Sequence, residues 1–427
     1  MISLLVMAAL AGQPGGATNG ATAAAADTDW RTKEAAFFDE PVQLTFATDF
    51  VKAGEAYFAP DWSYLQGDEG LIVFQATPKP AGEDAPEPFY GMYVAKIAGC
   101  GSGTPTGLDN VTRISPAGSA NTCGWFSPRS PVVMFGSTMV RPSDESKSGF
   151  QVGSRKYVWM FPSEMDIVTR QLGPMGPGEG GKMTLGTMRE DFAAARKLFE
   201  RPNYDAECSY DPSGRFVLYA HIEDAPAGPP EGAPVKHDAN IYIYDTQTRK
   251  HHAIVVAPGY DGGPFFSPDG KAICYRSDRK DNDLLQLFVA TLKFEKDERG
   301  VDVPVGIERE WQITDNEHVN WAPYWHPSGE FLIYASSEAG HTNYELFAAS
   351  VPWDTLKALP ADATGVQSAA TSKHVRITHA PGADVLPAFS PDGKWLMWTS
   401  QRQGPASGEQ RASSQLWVAK WNGVKWE

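Results

Sequence analysis

The stretch FFSPDGKAICYRSDR, residues 265–279, reads as a hairpin: an aromatic pair, a Pro-Asp-Gly turn and an alternating strand. Proline presets φ for the first central position of a type I turn, and aspartate suits the next. Glycine then takes the left-handed conformation that closes a three-residue connection. The chain writes almost the same phrase again at 388–402, AFSPDGKWLMWTSQR. Four looser copies precede or separate these two: YFAPDW, WFSPRSPVVMFGST, SYDPSGRFVLYAHIED and YWHPSGEFLIYASSE. The six turn prolines are Pro60, Pro128, Pro212, Pro268, Pro327 and Pro391, and four turns keep their glycine, at Gly214, Gly270, Gly329 and Gly393.

The strand after each turn is apolar on both alternating faces, which suits a strand covered from two sides. Third strands follow in NIYIYDT, LLQLFVATL, YELFAAS and QLWVAKW, and fourth strands in VQLTF, VTRIS, EWQIT and VRITH. Six repeats of four short antiparallel strands predict an all-β fold, a six-bladed β-propeller spanning 41–427. The proline positions lie farther apart than the roughly 40–45 residues of a compact blade, so long loops are expected, the largest an insertion at 141–200. That stretch holds the glycine-rich GPMGPGEGG and TMREDFAAARKLF, in which Met188, Phe192, Ala195 and Phe199 fall at helical spacing. A helix on the ring's flank, or one capping its mouth, is predicted there. PVQLTF at 41–46 matches a fourth strand whose unit has not yet begun, so the N-terminus is expected to complete the last blade. The Asn-Gly hairpin of QLWVAKWNGVKWE is the competing closure.

The 427 residues carry a net charge of −15, with pI near 5.1, a field that repels nucleic acid. MISLLVMAALAG and the small-residue linker after it read as a signal peptide over 1–26, too short to span a bilayer. No membrane span is expected, and the protein is expected to be periplasmic or otherwise exported. Export permits one disulfide, Cys100–Cys123 or Cys123–Cys208, while Cys274 reads as a buried small hydrophobe.

Repeats of the type FSPDGK-aliphatic-aromatic-S-R, each preceded by a strand ending in Ile/Leu-Thr, resemble the WD40-like repeats of TolB-type propellers. The second copy, FSPRSPVV, lacks Asp-Gly, the first is interrupted by SYLQGDEG, and no segment matches TolB's N-terminal α/β domain. The resemblance implies a TolB-like propeller of the cell envelope with a protein or peptide partner.

No G-x-S-x-G elbow, phosphate loop, dinucleotide fingerprint or His-Glu-x-x-His is present. The similar propellers of prolyl-oligopeptidase and tricorn-like peptidases are joined to a catalytic domain, whereas here the repeats run to the last residue. The expectation is a non-enzymatic binding scaffold without a cofactor. His251 and His252 adjoin in one strand and point to opposite faces, so they cannot share a metal. Glu55, Asn121, Asp205, Glu207, Asp261, Asn320 and Asp384 precede or begin the inner strands and are expected to ring one channel mouth. Such a ring suits a divalent cation or a Lys/Arg-bearing peptide, against the plainer role of capping turns. The alternative is a hydrolase or lyase acting on polysaccharide or peptide through these carboxylates. Trp62 and Trp353, in loops, are the aromatics placed to grip a ligand.

Overall fold

A computed structural model describes residues 29–426 apart from 63–64, 67–69, 83, 101–102, 144–148, 152–155, 159–161, 179–181, 224–237 and 406–411. The leader read at 1–26 lies outside the described residues. Each repeat forms one four-stranded antiparallel sheet, and the six sheets make a six-bladed β-propeller. The inner strands, which number the blades one to six, are Phe50–Phe58, Asn121–Phe126, Asp205–Tyr210, Asp261–Phe266, Asn320–Trp325 and Asp384–Phe389. The strands after the turns, second in each blade, are Leu71–Pro78, Val132–Ser137, Phe216–Ile222, Ala272–Ser277, Phe331–Ser336 and Trp395–Ser400. The N-terminus closes the ring: Val42 pairs with Val418 and Gln43 with Trp417, so the outer strand of blade six comes from the opposite end of the chain. The C-terminal Asn-Gly does not compete, because Trp421 bridges Phe38 instead.

The core lies between blades rather than within them. In Ala272–Ser277, Ile273 and Tyr275 pack with Phe216, Leu218 and Ile243 of blade three, while Cys274 packs with Leu332, Tyr334 and Phe347 of blade five. Burying one such aliphatic side chain stabilises by about 1.5–3 kcal/mol, and the two-faced alternation lets every strand do so in both directions.

The turns repeat because their hydrogen bonds repeat. Ser267 Oγ accepts from Ala272 N at 2.9 Å and donates to Asp269 Oδ1 at 2.6 Å. Ser390 does the same for Trp395 and Asp392, at 3.0 and 2.6 Å. In blade three Asp211 takes the role, accepting from Phe216 N at 2.8 Å. In blade five His326 Nδ1 accepts from Ser328 N at 3.1 Å. An acceptor before the proline serves five of the six turns, which explains Ser, Asp and His in one slot, while blade one has Ala59 there. The turn glycines, with φ near +70°, also pack on the proline of the preceding blade. A Cβ added to Gly214, Gly270, Gly393 or Gly329 would lie 3.1, 3.2, 3.7 or 3.8 Å from Pro128, Pro212, Pro327 or Pro268.

Two expectations are corrected. The helix over 187–199 does not form: the segment makes a single turn, closed by Phe192 N donating to Arg189 O at 3.2 Å, and Arg196–Lys197 is the outer strand of blade two, paired with Thr169 and Val168. Met188 and Ala195 bury between blades one and two, whereas Phe199 packs on Tyr219, Tyr244 and His251 of blade three, so the apolar residues serve two separate pockets. The buried Arg170 guanidinium, bonded to the carbonyls of Ile114, Arg189 and Glu190, fastens the segment down. Trp62 is not a gripping surface either, since it is buried and donates from Nε1 to Ser127 O at 3.0 Å. Its neighbourhood carries a small extra sheet, in which Met183–Leu185 pairs with both Met175–Pro177 and Leu65–Gln66. No helix among the described residues is long and apolar enough to cross a membrane.

Candidate functional site

All six inner strands break register at the same level of the channel, each through a β-bulge. The residue at the break has a left-handed φ in every blade: Glu55 (43°), Cys123 (54°), Glu207 (58°), Gly263 (57°), Ala322 (52°) and Leu386 (57°). Five of the six are not glycine, and a left-handed φ costs such residues about 1–2 kcal/mol each. The conformation turns this position toward the axis, and these six residues line the central cavity. The cavity leaves about 20 Å³ of room, enough for a single water.

Charge concentrates on one side of that level. Glu207, fully buried in character at 4% exposure, accepts from the Tyr260 hydroxyl at 2.7 and 2.6 Å, from Gly263 N at 2.5 Å and from Arg276 Nη2 at 3.1 Å. Burial pushes its pKa up, but the Arg276 charge and these donors outweigh burial and hold it below the usual glutamate value. The two glycines of DGGPFF make the pair possible. A Cβ on Gly263 would overlap the Arg276 guanidinium, and one on Gly262 would overlap the Tyr260 hydroxyl. Across the cavity Tyr57 Oη donates to Glu55 Oε1 at 3.3 Å, and Glu55 N donates to Thr399 Oγ1 at 3.1 Å. Burial, and then the Glu55 charge, push the Cys123 thiol well above its usual pKa. Neither expected disulfide, Cys100–Cys123 or Cys123–Cys208, forms, and Cys208 Sγ instead sits 3.8 Å from Cys123 O.

The other five residues expected in the ring begin their inner strands two positions earlier. Each is buried, and each is engaged by its own blade or the neighbouring one. Asn121 donates to Tyr90 O at 2.8 Å and Asn320 to Gln286 Oε1 at 3.1 Å. Asp384 accepts from Trp398 Nε1 and Arg402 Nη2, both at 3.0 Å. Asp205 meets His221 Nδ1 at 2.9 Å, and Asp261 meets Arg279 Nη2 at 3.4 Å. Burial raises the Asp261 pKa to about 6 against the pull of Ser277 and Arg279. Glu310, on the far side of Arg279 at 2.7 Å, rises to about 7 through burial and the Asp261 charge. The seven predicted residues thus occupy two levels, with Glu55 and Glu207 facing the axis. Internal partners, the arginines Arg276, Arg279 and Arg402 and the imidazole of His221, already meet four of the five carboxylates. No cluster of three or more His, Cys, Asp or Glu able to hold a metal occurs among the described residues.

Toward the opposite mouth the cavity is closed by four rings. Tyr57, Trp125, Phe265 and Tyr324, each two residues past a bulge, form a circuit with centroid distances of 5.0, 5.2, 5.4 and 5.9 Å. Ser209 and Ala388 stand at the same position in blades three and six, which leaves the floor uneven. Above this floor opens a funnel of about 230 Å³ whose wall includes all six turn prolines. Phe58, Tyr210, Phe266 and Trp325 line it with three of the floor rings, Trp125, Phe265 and Tyr324, and Asp211, Ser267 and Ser390 are its polar residues. Sequence reasoning identified every one of these prolines but read them as assembly signals alone. The aromatic residue two positions before the proline in each repeat was the signal that they also frame a concave apolar surface.

No family model matches the chain. Among curated proteins it is similar to the uncharacterized peptidase YuxL of Bacillus subtilis, 25% identical over 185 residues, 38% of this chain and 25% of that one. It is also similar to dipeptidyl-peptidase 5 of Porphyromonas gingivalis, 36% identical over 88 residues, 20% of this chain and 12% of the other. The matches therefore span a quarter or less of the length of these relatives. Among solved structures, a putative TolB from Agrobacterium tumefaciens superposes with a TM-score of 0.44 at 14% identity, covering 87% of this chain and 91% of that one. The expectation of a chain with no enzymatic role is overturned by the curated relatives, both of which are named as peptidases.

Proposed function

We propose that the protein acts in peptide hydrolysis, with the proline-framed mouth of the ring receiving an extended substrate through its apolar or aromatic residues. The observation that carries this reading is the funnel itself, a 230 Å³ concavity of aromatic rings with few polar groups. The peptidase names of the two relatives support it. Glu207 is committed to Arg276 and held ionised, which suits fixed charge rather than proton donation. Glu55, the other carboxylate facing the axis, is placed to act on a substrate that displaces the floor rings. The apolar leader supports action outside the cytoplasm, in the cell envelope or beyond it.

The test uses the purified chain and a defined mixture of short peptides, some with Phe or Pro at one end and others wholly polar. Binding is followed by fluorescence anisotropy and cleavage by mass spectrometry. The Phe- and Pro-bearing peptides should bind and be cleaved, and Trp125→Ala should weaken their binding about tenfold or more. Absence of both binding and cleavage across the mixture would overturn the reading.

A further inference from the structure

The six turns frame the funnel alike, but they do not seal it alike. Between blades two and three Gly214 lies against both Pro128 and Arg129, and between three and four Gly270 lies against Pro212. Between five and six the His326 ring fills the seam beside Gly393. Between four and five a Cβ on Gly329 would find only Pro268 Cδ, at 3.8 Å. There the wall opens into a groove of about 500 Å³ that shares Ser267, Pro268 and Pro327 with the funnel. Its outer end is Trp353, half-buried, stacked on Trp325 at 6.0 Å and held by a 3.0 Å bond from Nε1 to Gly329 O.

Two lysines in this groove are free of ion pairs among the described residues. They are Lys271 and Lys357, both exposed, and the Lys357 ammonium lies 5.5 Å from the Trp353 ring centre. Asp269, in the same lining, is turned into its own hairpin, where Oδ1 accepts from Ser267 Oγ and from Lys271 N at 3.0 Å. Glu330 is the other carboxylate of the lining. In a chain of net charge −15, this lining carries as many lysines as carboxylates, and the Lys357 ammonium lies beside an indole.

We propose that the groove between blades four and five is the path along which a peptide leaves the funnel, and that it selects peptides carrying a carboxylate side chain beside the seated apolar residue. The extended backbone crosses the Pro268–Pro327 gap, lies along the Trp353 indole and presents its carboxylate to Lys271 and Lys357. This rests on the reading of the funnel as a peptide site.

The experiment compares fluorescein-labelled peptides with a shared Phe-Pro end and a Glu, Ser or Lys flank, made in both sequence directions, on wild type, the double variant Lys271→Glu/Lys357→Glu, and Trp125→Ala. The Glu peptide should bind wild type about five- to tenfold tighter than the Lys peptide, with the gap narrowing at high salt. The double variant should abolish or reverse that order and leave the Ser peptide within about twofold. Equal affinity for Glu and Lys flanks, with Trp125→Ala still weakening all three, would overturn the groove and keep the funnel. No binding by any peptide would overturn the funnel reading on which the groove depends. Circular dichroism of the double variant, whose changes lie on exposed side chains, separates loss of fold from loss of preference.

Discussion

The two ends of the channel are built from the same six strands under opposite rules. At the proline end one solution recurs: all six blades set an aromatic residue facing the funnel ahead of a turn proline, and five of them place an acceptor between the two. At the other end the first inner residues of blades two to six find varied partners, Asn121 a carbonyl, Asp205 a histidine and Asn320 a glutamine, while Asp261 and Asp384 each meet an arginine. Main-chain geometry is set by a few residue types and survives repetition. A buried polar side chain only has to be satisfied, and any complementary partner will do. Repeats therefore converge where the backbone decides and diverge where side chains do.

The sharpest way to break this contrast is to remove one member of a paired set at the bulge level. Glu207→Ala leaves the Arg276 guanidinium buried beside Tyr260 with no counter-charge. The expected loss is about 3–5 kcal/mol in urea unfolding. At the proline end, Pro391→Ala removes a residue exposed on the turn and should cost under about 1 kcal/mol. Losses of similar size at both ends would remove the distinction between the two rules.

A second effect lies in pH. Asp261 titrates at about 6 when folded, against an ordinary value near 3.9. Between these values the folded chain holds a proton that the unfolded chain has lost, so stability falls as pH rises through that window. A rise of that size is worth at most about 3 kcal/mol, and Glu310, near 7, carries the fall toward neutrality. Asp261→Asn should make the decline between pH 4 and 6 shallower without abolishing it, as read by urea midpoints, since Glu310 and Glu345, raised to about 7 and about 9, contribute to the fall over the same range. An unchanged slope in the variant would place the titration elsewhere.

How much of this was legible follows the same division. The blade count, the acceptor–proline turns and the N-terminal closure were readable because turn chemistry and two-faced alternation are local properties. FFSPDGKAICYRSDR named its own packing, with Phe266, Ile273 and Tyr275 in one interblade cluster. The segment 187–199 misled because four apolar residues at helical spacing also fit a non-helical strip touching two pockets, and spacing alone cannot distinguish them. The polar ring was half legible: the residues were found, but whether they face the axis depends on a bulge that shifts the register at one residue. Glu55 and Glu207 lie at that residue and the other five lie before it. The cations that meet the carboxylates come from second strands or the loops after them: Arg279 and Arg402 end the two most similar repeats and meet Asp261 and Asp384 alike, a repeated signal whose pairing role went unread, whereas Arg276 has Thr399 as its counterpart.

His326 offers the smallest and most pointed test, because it stands where both rules meet. Its Nδ1 supplies the turn acceptor that serine gives in blades four and six. Its ring also stacks on Phe331 at 4.4 Å, meets Phe389 edge-on at 4.8 Å and fills the seam beside Gly393. His326→Ser keeps the first role and deletes the second, so the turn should stay intact while the seam between blades five and six loosens. The expected loss is about 1 kcal/mol, the worth of an aromatic pair beyond simple burial, seen as a fall of a few degrees or less in Tm. Hydrogen exchange should quicken at the 327–329 and 391–393 turns and stay unchanged at the 268–270 turn, which His326 does not touch. A variant as stable and as protected as the parent would mean that the acceptor alone fixes this position, and that the seams of the ring are set by proline and glycine without help from the side chain between them.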